Sequence, residues 1–146
     1  IFIFESNLQI VSKRNPKTYI FNDNPHKKNT GFKRLFFALI NSLSGFVFAF
    51  KEESAFRQEL LLSVLLFPSI FFFPTSPIEK ILMIGSLLIL LIVELLNSSV
   101  EAAIDRISFS QHDLSKRAKD LGSAAVFLSL LLVLITFTVI ITKHLI

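Results

Sequence analysis

Cysteine and tryptophan are both absent from this sequence, and tyrosine occurs once. Without cysteine there is no disulfide, no thiolate metal site and no thiol nucleophile, so any chemistry must use oxygen or nitrogen groups. Glycine is scarce as well: none of the four is followed by Lys and then Ser or Thr, which excludes a Walker-type phosphate cradle. Charged residues make up 18%, below the roughly one quarter usual in soluble domains. Internal repeats and heptad arrays are missing too. What remains is 52% hydrophobic with a mean hydropathy of +0.63, and 146 residues amount to one domain by length. These properties define a membrane protein.

A net charge of +4 would fit a nucleic-acid partner, but the distribution of the basic residues argues against one. They gather beside the apolar segments, where they match a negatively charged membrane surface. Lys13, Arg14, Lys17, Lys27 and Lys28 fall in Ile1 to Asn29, which also carries the turn formers Asn15-Pro16 and Asn24-Pro25. This stretch reads as a loose extension. The order of a signal peptide is reversed in it, since its short apolar run, Ile1 to Phe4, precedes the basic residues.

Helical segments follow, which makes the expected class all-α. Residues 31–50 are apolar apart from Lys33, Arg34, Asn41, Ser42, Ser44 and Gly45, with Thr30 as a candidate cap. This length suits an amphipathic helix lying on the inner membrane surface, and an extra membrane helix is the alternative. Membrane spans are expected at about 55–73, 78–98 and 122–142. Leu60 to Phe73 is about 14 residues, roughly 21 Å of helix against a hydrocarbon core of about 30 Å, so the first span must borrow from Ala55 to Glu59. Pro68 is placed to kink it, and Pro74-Thr75-Ser76-Pro77 makes a tight turn into the second span. Between the second and third spans, Asp113 or Ser115 is expected to cap a short helix carrying Lys116, Arg117, Lys119 and Asp120. The excess of basic residues before Leu60 and in the Arg106 to Lys119 loop puts the amino end and that loop in the cytoplasm, with the carboxyl end outside.

The second span ends in Glu94-Leu95-Leu96-Asn97-Ser98-Ser99-Val100-Glu101-Ala102-Ala103-Ile104-Asp105. If helical throughout, it carries Glu94, Asn97, Glu101 and Asp105 at i, i+3, i+7 and i+11, as one polar stripe. A carboxylate at the edge of the lipid is costly to maintain and points to function. Arg57, Gln58 and Glu59 of the preceding span are expected at the same depth. A carboxylate can serve as general base to a lipid hydroxyl, two more suit Mg²⁺, and Lys119 and Arg34 can neutralise phosphate. By residue type alone this fits phosphoryl transfer at a membrane face, and it equally fits an ion-coupled transporter.

Three segments resemble the signatures of the bacterial integral-membrane diacylglycerol kinases: Ala55-Phe56-Arg57-Gln58-Glu59, the run from Glu94 to Ile107, and Ala118-Lys119-Asp120-Leu121-Gly122-Ser123-Ala124-Ala125-Val126. The resemblance covers 30–146 and leaves the extension of residues 1–29 outside. It implies a homotrimer in the inner membrane, each protomer having a surface helix and three membrane helices, with active sites shared between neighbours. The implied reaction moves the γ-phosphoryl group of MgATP to the primary hydroxyl of diacylglycerol, giving phosphatidic acid. By resemblance Glu94 is the general base, Glu53 and Glu101 hold the metal, and Asn97 and Asp105 support them. Arg34, Asn41, Glu53, Glu101, Ser110, Gln111, His112, Lys119 and Asp120 then contact ATP. Arg34, Ala55, Phe56, Arg57, Gln58, Glu59, Glu94 and Ser123 contact the lipid. Asn41 stands where relatives often carry tyrosine, which implies an altered adenine contact, and 17 phenylalanines stand in for interfacial tryptophans.

Plain structural readings exist beside these. Glu59 can pair with Arg57, Asp105 can pair with Arg106 or cap a turn, His112 can be a solvated loop residue, and Ser98 and Ser99 can be small residues at a helix contact. Two rival functions share the pattern: an undecaprenol kinase, and a non-catalytic or ion-coupled assembly. Phe56-Arg57-Gln58-Glu59 and Leu121-Gly122-Ser123-Ala124-Ala125-Val126 favour diacylglycerol over undecaprenol, and the non-catalytic reading leaves Glu53 and Lys119-Asp120 without a task.

Overall fold

The computed structural model describes residues 31–107 and 112–146, and these divide into two compact units, one ending at Asn41 and the other comprising Ser42–Ile146. Thr30, Ser110 and Gln111 lie outside the described residues. Among the described residues the elements are α1 (Phe32–Glu52), α2 (Ser54–Leu66), α3 (Ser69–Phe72), α4 (Pro77–Ile107) and α5 (Asp113–Leu145). Helix α1 continues two residues past its expected end, through Lys51 and Glu52. It stops at Glu53, whose extended backbone (φ −98°, ψ 111°) turns the chain into α2.

Prolines set the next boundaries. Helix α2 ends just before Pro68, whose ring fits poorly against the preceding turn, and a single further turn, α3, completes the crossing. Ser69 Oγ donates to Leu66 O at 2.7 Å and Thr75 Oγ1 to Ile70 O at 3.0 Å, so the carbonyls freed by the break and by the end of α3 are occupied. Pro77 then opens α4 at its first position, where no amide hydrogen is needed. Ser76 and Glu79 form a reciprocal capping box: the Glu79 amide donates to Ser76 Oγ at 3.3 Å and the Ser76 amide to Glu79 Oε2 at 2.7 Å.

Helix α4 is unbroken for 31 residues, so the stripe from Glu94 to Asp105 lies on one rod with the apolar span, as the periodicity requires. At 1.5 Å per residue the rod is roughly 46 Å long, and a hydrocarbon core of about 30 Å leaves its last turns outside. Helix α5 differs from expectation. Instead of a short capped helix followed by a span, it is one helix of 33 residues, and the cap is His112, whose Nδ1 accepts from the Leu114 amide at 3.2 Å. Nothing between Asp120 and Gly122 breaks helical backbone, so the polar turn and the span fuse.

The core is a seam between α4 and α5. Met83, Leu87 and Leu90 recur at i, i+4 and i+7, and Val133, Phe137 and Ile140 repeat the same spacing opposite, with Ile70 of α3 closing the group. At the end of the seam remote from Glu94, Glu79 also receives Lys143 Nζ at 2.8 Å and lies 3.2 Å from His144 Nε2. The other faces expose Leu, Ile, Val and Phe side chains, as lipid solvation permits. Helices α1, α4, α5 and the joined α2–α3 segment are each long and apolar enough to cross a membrane.

Leu90 is fully enclosed, whereas Ile81 is 69% exposed on the same helix. Leu90→Ala is expected to destabilise the protein in detergent by about 2 to 5 kcal/mol and Ile81→Ala by about 0.5 kcal/mol or less. Equal losses in a denaturation series would show that the seam is not the core.

Candidate functional site

The site assembles where α2, α4 and α5 meet at the polar end of α4. Its first fixed point is the corner between α1 and α2. Arg57 Nη1 donates to the carbonyls of Phe50 at 3.1 Å and Lys51 at 2.9 Å, so it closes the open carbonyl end of α1 with a cation. This holds Glu53 at the bend. It also means that Arg57 serves backbone carbonyls and Glu59 is left without it, contrary to the ion pair that proximity in sequence allowed.

Within Ala55 to Glu59 the helix sorts side chains by face. Phe56 and Glu59, three apart, are buried, while Ala55, Arg57 and Gln58 are exposed. Glu59 Oε2 is enclosed and has no hydrogen-bond partner among the described residues. Beside it stands Glu94, 3% exposed, which interacts electrostatically with Glu59, Glu101 and Glu53 and is hydrogen-bonded to Ser98. Ser98 is therefore a partner of the central carboxylate as well as a small residue at a helix contact. The i, i+4 spacing of Glu94 and Ser98 is the signal that reveals it.

Farther along the stripe, Asn97 Nδ2 donates to Glu101 Oε1 at 3.1 Å. One turn beyond, Asp105 Oδ1 receives Lys119 Nζ at 2.6 Å. Asp105 is thus paired across helices with Lys119, not with its neighbour Arg106. Asp120 and Ser123 are exposed on α5 near Lys119, and His112, also exposed, spends Nδ1 on the cap. Arg34 and Asn41 belong to the other unit and are exposed on α1. Arg57, expected at the lipid, is also the cap that sets Glu53, and Gly122, not named as a site residue by sequence, faces Asn97.

This arrangement gathers negative charge where water is scarce. Glu94 and Glu59 are both buried, and buried carboxylates demand compensation by a counter-charge or a proton. Among the described residues no three His, Asp or Glu side chains converge closely enough to make a self-sufficient metal cage. A Mg²⁺ ion needs no such cage, since it keeps several waters and takes one or two carboxylates together with phosphates. Glu53 and Glu101, both partly exposed and both in the field of Glu94, fit such a shared site.

Comparison with known proteins identifies the family that the chain resembles. The family model described as prokaryotic diacylglycerol kinase matches residues 40–141. A diacylglycerol kinase of Pseudomonas aeruginosa is 50% identical over 116 residues, covering 80% of this chain and 94% of the relative. One from Haemophilus influenzae is 49% identical over 106 residues, covering 73% and 90%. One from Escherichia coli K12 is 39% identical over 115 residues, covering 79% and 94%.

The Asp105 and Lys119 side chains are 48% and 37% exposed, so water screens the pair. Asp105→Asn and Lys119→Met are expected to leave the thermal midpoint nearly unchanged. A large fall in either variant would identify the pair as a structural staple in place of a charge held ready for a ligand.

Proposed function

Because the chain belongs to the prokaryotic diacylglycerol kinase family, we propose that it transfers the γ-phosphoryl group of ATP to the primary hydroxyl of diacylglycerol, yielding phosphatidic acid and ADP. The observation that carries this reading is the buried Glu94 beside Glu59, at the edge of the apolar span, with Glu53 and Glu101 within electrostatic reach. A base for a lipid hydroxyl must stand at that boundary, and ligands for a phosphate-bound cation must stand on its aqueous side.

Each group has a part in the proposed reaction. Glu94 accepts the hydroxyl proton as the oxygen attacks the γ-phosphorus and the bond to the β-γ bridging oxygen breaks. Ser98 holds the Glu94 carboxylate in place. Glu53 and Glu101 would hold Mg²⁺, which, when bound, neutralises phosphate charge. Asn97 positions Glu101 through the 3.1 Å hydrogen bond, and Asp105 keeps the Lys119 ammonium near the phosphates through the 2.6 Å pair. His112 and Asp120 would add nucleotide contacts, and Arg34, Asn41, Ser110 and Gln111 are assigned to ATP by the family resemblance alone. Ala55, Phe56, Arg57, Gln58, Glu59 and Ser123 receive the lipid, together with Arg34. Such a site works by in-line positioning and charge neutralisation, which is most of what phosphoryl transfer needs. The assembly we infer is a homotrimer with shared sites in the bacterial inner membrane. Residues 30–146 would form its kinase domain, with the amino end and the site facing the cytoplasm.

In mixed micelles with radiolabelled ATP and Mg²⁺, diacylglycerol and undecaprenol offered in parallel separate the two lipid kinases. Label is expected in phosphatidic acid, and Glu94→Gln should lower its formation by about a hundredfold or more while nucleotide still binds. Preference for undecaprenol would reassign the substrate, and no transfer to either would overturn the kinase reading. Glu101→Ala should move the Mg²⁺ titration of rate to higher concentration. An unmoved titration would remove Glu101 from the metal shell.

A further inference from the structure

Gly122 lies on α5 one turn past Lys119, where the helix enters its apolar stretch. A methyl group built on it would overlap Asn97 Oδ1 and stand 3.2 Å from Asn97 Cγ. The three other glycines among the described residues, Gly31, Gly45 and Gly85, meet nothing within 4 Å of such a methyl. Gly122 is therefore the described glycine against which another side chain is pressed, and that side chain belongs to the polar stripe.

The Asn97 carboxamide has two ends with different surroundings. Nδ2 donates to Glu101 Oε1 at 3.1 Å. Oδ1 is enclosed against Gly122, with no hydrogen-bond partner among the described residues. Turning the amide over would aim its oxygen at a carboxylate oxygen and its NH₂ at the α5 backbone, so Glu101 selects the orientation. An oxygen deprived of hydrogen bonds is normally avoided. It is retained here by contact: the α5 backbone at a position without a side chain leaves a slot the width of the amide. We propose that Gly122 is a positioning residue, whose missing side chain seats the Asn97 carboxamide and thereby aims the Glu101 carboxylate at the divalent cation. The last step rests on the kinase reading, in which Glu101 is a cation ligand; the slot itself does not.

The test uses the full chain in detergent micelles, with Gly122→Ala, Asn97→Ala, the double variant and Glu101→Ala. Mn²⁺ with a non-hydrolysable ATP analogue is the probe, read by electron paramagnetic resonance, and the thermal midpoint is followed alongside. Alanine is a better helix former than glycine, so Gly122→Ala would raise the midpoint if nothing stood against it. With the amide in the slot, the midpoint is expected to fall; in the Asn97→Ala background, where the slot is vacant, the same change should raise it. Mn²⁺ affinity should drop about tenfold in Gly122→Ala and in Asn97→Ala, the scale of losing an outer-shell partner, and no further in the double variant.

Should Gly122→Ala alone fail to fold, recovery in the double variant would support the slot, and failure there too would overturn it. A midpoint raised by Gly122→Ala in the otherwise unaltered chain, or additive losses of Mn²⁺ affinity, would also overturn the proposal. Unchanged Mn²⁺ affinity in Glu101→Ala would instead remove the cation from the argument, leaving the sign of the midpoint change to decide the seat.

Discussion

Carboxylate burial at one end of a long apolar helix seam is the constraint around which this molecule is built. Glu94 and Glu59 stand side by side with almost no access to solvent, and neither has a Lys or Arg counter-ion among the described residues. Such burial is costly, and a rigid surrounding backbone keeps the two groups from moving out to water. The long, unbroken α4 supplies the rigidity, and its seam with α5 holds the two rods in register. Ser98 bonds Glu94, Asn97 bonds Glu101 and Lys119 pairs with Asp105, whereas Glu59 Oε2 and Asn97 Oδ1 have no hydrogen-bond partner among the described residues.

Much of this frame was legible in the residues. The stripe from Glu94 to Asp105 follows from helical period once the segment is one helix, and Ser76-Pro77-Ile78-Glu79 announces a helix start. Pro68 marks the break that divides the first crossing into α2 and α3. Other features depended on groups far apart in the chain. Asp105 and Lys119 are separated by 14 positions, and Glu79 meets Lys143 and His144 over 64 and 65. No local pattern links such residues; the antiparallel seam of α4 and α5 does. Arg57 was misleading for a different reason. Sequence displays charges but conceals unfilled helix carbonyls, and here the carbonyls of Phe50 and Lys51 take the Arg57 guanidinium in place of Glu59. Helix α5 also ran through a stretch whose polar content suggested a separate piece, because polarity alone does not interrupt helical backbone.

Composition and fold meet in the treatment of aromatic residues. Tryptophan ordinarily supplies both an apolar body and a hydrogen-bond donor at a membrane interface. Phenylalanine has the body without the donor. Where α2 and α3 adjoin, Phe67 and Phe71 pack edge to face at 5.5 Å, and Lys80 lies 5.5 Å from the centre of the Phe71 ring. A lysine carried by α4 thus provides the polar contact that a phenyl ring lacks, and does so from the next helix, which ties the two together.

The continuity of α4 has a mechanical consequence. Glu79 and Glu94 are 15 residues apart on one rod, roughly 22 Å along its axis, with no proline or bulge between them to absorb displacement. A bilayer that draws the Glu79 end toward its surface, or tilts the rod to match its own thickness, moves the Glu94 end by the same rigid-body motion. Membrane thickness is thereby converted into the height of the Glu94 end of the rod, so the bilayer acts as part of the ruler that sets the depth of this carboxylate.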